Sequence, residues 1–323
     1  DLRVRFRIDG VLHEVMRSPK SIQSGVISRL KIMSDMNIAE RRIPQDGRLS
    51  VNAQSGKVDL RVATLPTVWG EKVVMRILDN STAMLSLEQL GLSDHNYDTF
   101  SLSFTKPYGM ILVVGPTGSG KSTTLYATLN ILNRPEVNII TVEDPVEYRL
   151  AGINQVQTNV KAGLTFAAAL RSILRSDPDI VLIGEVRDYE TAQIAVESSL
   201  TGHLVLTTLH TNDAPSAVTR LVEMGIEPFL VGSAVDAVLA QRLARRLCTK
   251  CRGAYTPTPE ALIEAKFPWR DGEPLPELFQ PVGCSACSRT GYRGRLAIHE
   301  IMPVTPEIER LAAERASAAD VEQ

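Results

Sequence analysis

Residues 115–124 read GPTGSGKSTT, directly behind the apolar run Met110-Ile111-Leu112-Val113-Val114. No other stretch limits the possible folds as tightly. Gly115, Gly120, Lys121 and Ser122 have the spacing of a loop that carries a buried strand into the first turn of a helix. Glycines in such a loop let backbone N–H groups converge on phosphate oxygens, and the helix N-terminus adds positive potential. The candidate contacts to a nucleoside triphosphate are therefore Gly115, Pro116, Thr117, Gly118, Ser119, Gly120, Lys121, Ser122 and Thr123. Lys121 would reach the β and γ phosphates, and the Ser122 hydroxyl would ligate Mg²⁺.

A loop of this kind belongs to a wound parallel sheet. Nearly continuous apolar segments at 110–114, 138–142, 180–184 and 203–209 alternate with helical patterns at 120–132, 165–176 and 189–201. Strands covered on both faces have that composition. The alternation predicts an α/β domain over 96–247. Short strands are expected around 152–157, and Arg242, Arg245 and Arg246 are expected on a helix ending at Cys248.

Residues 1–95 predict a small α+β domain. LRVRFRI (2–8) alternates with period two, Asp9-Gly10 signals a hairpin, and VLHEV returns from it. A helix is expected from Ser18-Pro19 to about Met36, with Ile22, Val26, Leu30 and Met33 on one face. Turns at Asp46-Gly47 and Ser55-Gly56 would then separate short strands up to about Leu78.

Holding a phosphate is not hydrolysing it, so the other strand ends matter. In open α/β sheets, ligands bind outside the carboxyl ends of the strands. The strand at 138–142 runs into Glu143-Asp144-Pro145-Val146-Glu147, the one at 180–184 into Glu185, and the one at 203–209 into His210. Glu147 or Glu185 would orient or deprotonate an attacking water, while the other holds Mg²⁺ through its waters. His210 would sense the γ phosphate by hydrogen bonding. Arg171 and Arg175, spaced i, i+4, share a helix face. Their guanidinium forks are either solvated or suited to carboxylate and phosphate partners across a subunit boundary.

All four cysteines fall in two matched pairs, Cys248-x-x-Cys251 and Cys284-x-x-Cys287. Two such knuckles suit a tetrahedral Zn²⁺ with four thiolates, a structural site without an open position. Disulfides, redox chemistry and an iron–sulfur cluster are the alternatives. An ATP-dependent enzyme works where thiols stay reduced, which disfavours disulfides. The cysteine unit spans 248–298, and a helical, exposed segment is expected in 299–323.

Composition narrows the function classes. Apolar residues make up 44% of the 323, enough to bury a sizeable core. Thirty-five basic residues against 37 acidic ones leave a formal charge of −2, with no bulk attraction for nucleic acid or anionic lipid. No apolar run approaches the roughly 18 residues that span a bilayer. The chain starts at Asp1 inside a strand pattern, so it is expected to be a fragment.

Taken together, these segments resemble the secretion ATPase family, the hexameric motors of type II secretion and type IV pilus assembly. The resemblance rests on the phosphate loop, TVEDPVE (141–147), LRSILRSDPDIVLIGEVRD (170–188), TGHLVLTTLH (201–210), the cysteine pairs and GYRGRLAIHE (291–300). It implies a RecA-like P-loop ATPase core, preceded by a small α+β (PAS-like) domain and followed by a tetracysteine zinc unit. It also implies that Glu147 is the catalytic base and Glu185 the Walker B glutamate. His203 and His210 would belong to a histidine box, and Arg61 and Arg76 would reach the phosphates from the preceding domain. Val58, Leu60 and Val62 alternate with Arg61, which places Arg61 on the face opposite the core. Local pairing with Asp59 and Glu71 is the alternative for both arginines.

The same resemblance implies a homo-hexamer at the cytoplasmic side of the inner membrane. Its partners would be an inner-membrane platform protein and a membrane docking partner, the latter engaged through a further N-terminal domain, with no nucleic acid. Two other classes share the core: a nucleic-acid-translocating motor, and a regulator that binds ATP without turning it over. The first calls for a basic, aromatic-rich stripe that this composition lacks. The second leaves the two glutamates and the arginines without a task.

Overall fold

The arginine-spaced alternation at the amino end forms a hairpin of β1 (Leu2–Ile8) and β2 (Val11–Ser18). The computed structural model describes residues 1–8, 11–53, 56–78 and 85–322. The expected turn at Asp9-Gly10, and Ser55 of the other, lie outside the described residues. The chain divides into two units, Asp1–Met84 and Leu85–Gln323.

In the first unit, α1 (Gln23–Met33) is followed by β3 (Gln45–Ala53), β4 (Gly56–Thr67) and β5 (Gly70–Leu78). The three strands form an antiparallel sheet in sequence order. Its core is Met36, Leu49 and Val62, with Leu30, Val51, Leu60 and Val73 packed around them. Of the helix face expected to be buried, only Leu30 packs on the core. Ile27 and Lys31 are inside, whereas Ile22, Val26 and Met33 are exposed. The cause is Lys31, only 1% exposed, which forms an ion pair with Glu71 and donates to the Glu40 carbonyl at 2.8 Å. A buried ammonium needs such partners.

The expected turn at Asp46-Gly47 is also corrected, because both residues lie inside β3, opposite Ala63 and Val62. Gly47 is small for another reason. A Cβ there would collide with the Ser34 carbonyl oxygen just past the end of α1.

The second unit begins with α2 (Asp94–Phe104), β6 (Gly109–Val114), α3 (Lys121–Leu132), β7 (Ile139–Glu143) and β8 (Asn154–Gln157). Next come α4 (Phe166–Ile173), β9 (Ile180–Ile183), α5 (Tyr189–Leu200), β10 (Leu204–Leu209), α6 (Pro215–Glu223), α7 (Pro228–Ala234) and β11 (Val235–Leu247). Then follow β12 (Gly253–Tyr255), α8 (Pro259–Glu264), β13 (Leu278–Gln280), β14 (Tyr292–Pro303), α9 (Pro306–Ala313) and α10 (Ala318–Glu322).

Seven strands form one sheet in the order β14-β11-β6-β10-β9-β7-β8. All neighbours are parallel except β14, which runs antiparallel to β11. Met110, Leu112 and Val114 of β6 enter the core on one face, and Ile111 and Val113 enter the core on the other. Burial on both faces is why β6 is written without polar breaks.

Two more expectations are corrected here. Residues 235–247, expected as a helix toward Cys248, form β11, held between β6 and β14. The C-terminal helical segment is not wholly exposed, since α9 buries Ala312 in the core that also contains Val231 of α7. Among the described residues no helix is long and apolar enough to cross a membrane.

Candidate nucleotide site and cysteine cluster

The phosphate loop follows β6 and opens α3 as the sequence predicts. Gly115, Gly118 and Gly120 all have positive φ, at 140°, 81° and 91°. A Cβ on Gly120 would stand 2.7 Å from Nε2 of Gln241, and one on Gly115 would stand 2.7 Å from Oγ of Ser119. The loop therefore has room only for glycine at these points. Gln241 of β11 clamps it from the next strand, donating to the Ser119 carbonyl at 2.8 Å and accepting from Thr124 Oγ1 at 2.6 Å. The Lys121 ammonium donates to the Gly115 and Pro116 carbonyls at 2.8 and 3.1 Å. Burial pushes Lys121 below its ordinary value, and the charge of Glu185 partly opposes this.

The Ser119 hydroxyl is buried and, among the described residues, has no hydrogen-bond partner. An orphaned buried hydroxyl beside three positive-φ glycines and a helix N-terminus fits a cradle that a phosphate completes. Ser122 is exposed on the first turn of α3, where its hydroxyl is open to a metal ion.

Glu185 and His210 come together at the same sheet edge. Glu185 follows β9, His210 follows β10, and His210 Nε2 lies 3.4 Å from Glu185 Oε2. Arg187 pairs with the same carboxylate oxygen at 2.6 Å. Thr208 donates to the Gly184 carbonyl at 2.7 Å, fixing the strand end that presents Glu185.

Glu147 lies four residues beyond β7, and its backbone N–H donates to the Tyr126 hydroxyl at 3.2 Å. Tyr126 belongs to α3, so the helix that starts with Lys121 also holds the loop bearing Glu147. Glu143, the other glutamate of this acidic segment, is 4% exposed and points inward. Tyr126 donates to it, as do Thr141 Oγ1 at 2.6 Å and Gln155 Nε2 at 3.3 Å. Burial raises the Glu143 carboxyl above its ordinary value, against the lowering effect of these donors. Burial, then the Glu143 charge, raises Tyr126 so far that its hydroxyl keeps its proton.

Other sequence candidates are placed elsewhere. His203 precedes β10 at the end where Leu204 pairs with Gly109, whereas the loop follows Val114, which pairs with Leu209. Six strand residues at about 3.3 Å each put His203 roughly 20 Å from the loop edge. Its Nδ1 lies 3.0 Å from the Ser198 carbonyl. Arg171, near the end of α4, pairs with Glu190. Arg175 falls beyond the last residue of α4, and its guanidinium donates to Ser172 Oγ at 3.3 Å. The two arginines therefore do not share one helix face.

In the first unit, Arg61 lies opposite Arg76, and Arg48 lies opposite Arg61. Opposed residues share a face, so the three form a row on the side of the sheet away from Leu49, Leu60 and Val62. Among the described residues no ion pair engages Arg61 or Arg76, and Glu71 is taken by Lys31.

Sequence reasoning missed three of these residues. Gln241 had a signal: it directly follows the apolar run Ala237-Val238-Leu239-Ala240, and a buried glutamine needs a hydrogen-bond partner. Arg48 was hidden by reading Asp46-Gly47 as a turn. Tyr126 carried no local signal.

The four cysteine sulfurs lie within 4.8 Å of one another and form no disulfide. Cys248 and Cys284 are 4.0 Å apart, Cys251 and Cys287 3.7 Å, and Cys284 and Cys287 3.8 Å. Thiolates about 2.3 Å from a shared tetrahedral ion stand about 3.8 Å from each other, whereas a disulfide needs about 2.05 Å. The cluster could hold a metal ion. Cys287 is lowered to about 6, chiefly by the Cys284 backbone, whose N–H donates to its sulfur at 3.1 Å.

Comparison with known proteins gives a consistent picture. A family model described as Type II/IV secretion system protein matches residues 1–323. A type IV pilus assembly ATPase, PilB, of Myxococcus xanthus is 54% identical over 325 residues, which cover 100% of this chain and 57% of that protein. The type II secretion system ATPase E of Vibrio cholerae is 51% identical over 322 residues, covering 100% of this chain and 63% of its own length. The chain thus spans about three fifths of these curated relatives.

Among solved structures, the pilus retraction motor PilT with bound ADP superposes with a TM-score of 0.67 at 25% identity. That match covers 96% of this chain and 79% of PilT. The Legionella pneumophila ATPase DotB gives 0.65 at 20% identity, covering 97% and 79%, and shows the shared α/β fold.

Proposed function

Because the chain belongs to the Type II/IV secretion system protein family, we propose that it is the ATP-hydrolysing part of a motor. Its turnover would drive assembly of pilin or pseudopilin subunits, in type IV pilus assembly or type II secretion. The observation that carries this reading is the meeting of the phosphate cradle, its orphaned Ser119 hydroxyl, Glu185 and His210 at one sheet edge.

In this reading the water oxygen attacks the γ phosphorus, the bond to the bridging oxygen breaks, and ADP and phosphate form. Lys121 neutralises charge on the β and γ phosphates, and Glu147 orients the water and receives its proton. His210 hydrogen-bonds toward the γ phosphate, and its contact with Glu185 ties the two strand ends together. Ser122, and Glu185 through waters, would hold a magnesium ion, which when bound would supply further charge neutralisation. Arg61 and Arg76 contribute charge from the first unit, a PAS-like domain in this account. The four cysteines would hold a structural zinc, and their all-thiolate donor set would leave no position for substrate. The assembly is a homo-hexamer on the cytoplasmic side of the inner membrane. It works with a platform protein in that membrane and a membrane docking partner, without nucleic acid.

The test is phosphate release by purified chain with MgATP. Lys121→Ala should abolish release and weaken nucleotide binding, since the γ phosphate loses its main charge partner. Undiminished turnover in that variant would remove the cradle from the account.

A further inference from the structure

The carboxylate of Glu143 is the buried centre of a network that holds both ends of the loop carrying Glu147. On one side it accepts from the Tyr126 hydroxyl, which itself accepts the Glu147 backbone N–H at 3.2 Å. On the other it accepts from Gln155 Nε2 at 3.3 Å. Gln155 then grips the next residues of the loop, donating to the Tyr148 carbonyl at 2.9 Å and accepting from the Leu150 N–H at 2.7 Å. Glu143 is 4% exposed and Tyr126 1%, so water does not compete for these bonds.

The chain of bonds has a direction. The Tyr126 O–H donates to Glu143, which leaves an oxygen lone pair facing the Glu147 N–H. A phenol with only one proton cannot serve both neighbours in any other order. Linked bonds of this kind polarise one another in a low-dielectric interior.

We propose that Tyr126 and Glu143 are positioning residues for Glu147, fixing its loop to the helix that carries Lys121. This rests on the reading of Glu147 as the group that handles the attacking water. Glu143 itself is too enclosed to meet a substrate, and its role is exerted through the loop. The arrangement ties the two halves of the site to one rigid element. Lys121 and Tyr126 lie on the same helix, five residues apart, so the phosphate cradle and the acidic loop keep their spacing as α3 moves. A misplacement of about 1 Å in a reacting group costs on the order of a hundredfold in rate, which is why such a brace matters.

Tyr126→Phe removes one oxygen and keeps the ring edge-to-face on Tyr148, where the centroids are 6.0 Å apart. The expected result is a fall in kcat for ATP of at least about tenfold with KM within about twofold, because the cradle is untouched. Amide exchange across 144–148 should speed up at the same time. Removing the hydroxyl also leaves the Glu143 charge short of a donor, which can lower stability without involving Glu147. The double variant Tyr126→Phe, Glu143→Gln separates the two effects, since it relieves the charge and does not restore the brace.

A kcat that stays low in the double variant while its melting temperature recovers supports the proposal. A wild-type kcat in Tyr126→Phe, a kcat restored in the double variant, or unchanged exchange across 144–148 would overturn it. ATP hydrolysis missing from the unsubstituted chain would instead overturn the reading of the site. The exchange measurement needs no turnover and would still decide whether the hydroxyl holds the loop.

Discussion

Arg61 stands directly opposite Arg76 across β4 and β5, and Arg48 extends the row across β3. Like charges facing each other on neighbouring strands are destabilising, and among the described residues no ion pair offsets this for Arg61 or Arg76. The nearby acid Glu71 is committed to Lys31. A row of guanidinium groups on the face away from the core is suited to an anion with several charged oxygens.

Magnitudes separate the two roles. An exposed ion pair is worth roughly 0–1 kcal/mol, whereas an arginine that stabilises a transferring phosphoryl group is worth about a thousandfold or more in rate. Arg61→Ala and Arg76→Ala should each cut ATP hydrolysis at least about tenfold, with the melting temperature unchanged or slightly raised. Wild-type turnover in both variants would detach the first unit from the chemistry.

The cysteine cluster makes a separate prediction. Three of its sulfur spacings are 3.7 to 4.0 Å and all lie within 4.8 Å, which suits four thiolates around one ion. Purified chain should therefore carry about one zinc per chain by elemental analysis. Replacing Cys284 and Cys287 by Ser should release the metal and loosen residues 248–298, because binding energy in a small metal unit is folding energy. Full thiol titration with no zinc in the native protein would contradict this assignment.

What the sequence made legible follows from how far apart the cooperating residues are. The phosphate loop is a local object, and its strand, turn and helix lie where the pattern puts them, at Gly109–Val114 and Lys121–Leu132. Glu185 and His210 could be read because each directly follows an apolar strand whose carboxyl end must lie at the ligand edge.

The parts that could not be read depend on distant partners. Gln241 reaches a carbonyl 122 positions away, and Tyr126 reaches Glu143 across 17. Residues 235–247, rich in Ala, Leu and Arg, have the composition of a good helix. Pairing with β6 on one side and β14 on the other makes them a strand instead, and Arg245 stacks 4.1 Å from the centre of the Tyr292 ring. Lys31 misled in the opposite way. A lysine marks the solvent face of a helix by default, and its partners, the Glu40 carbonyl and Glu71 forty residues on, explain why this one is inside.

Holding ATP and cleaving it fall to different residues, and one set of measurements separates the two. Nucleotide affinity and steady-state phosphate release are measured side by side for the unsubstituted chain, Glu147→Gln and Glu185→Gln. Neither substitution replaces a glycine of the loop or Lys121, so ATP affinity should stay within several-fold. The rate should fall on the order of a hundredfold or more in each, as loss of a proton acceptor or of a metal-orienting carboxylate commonly causes. Unchanged phosphate release in both variants would contradict the account, leaving a chain that binds ATP without using these carboxylates to hydrolyse it.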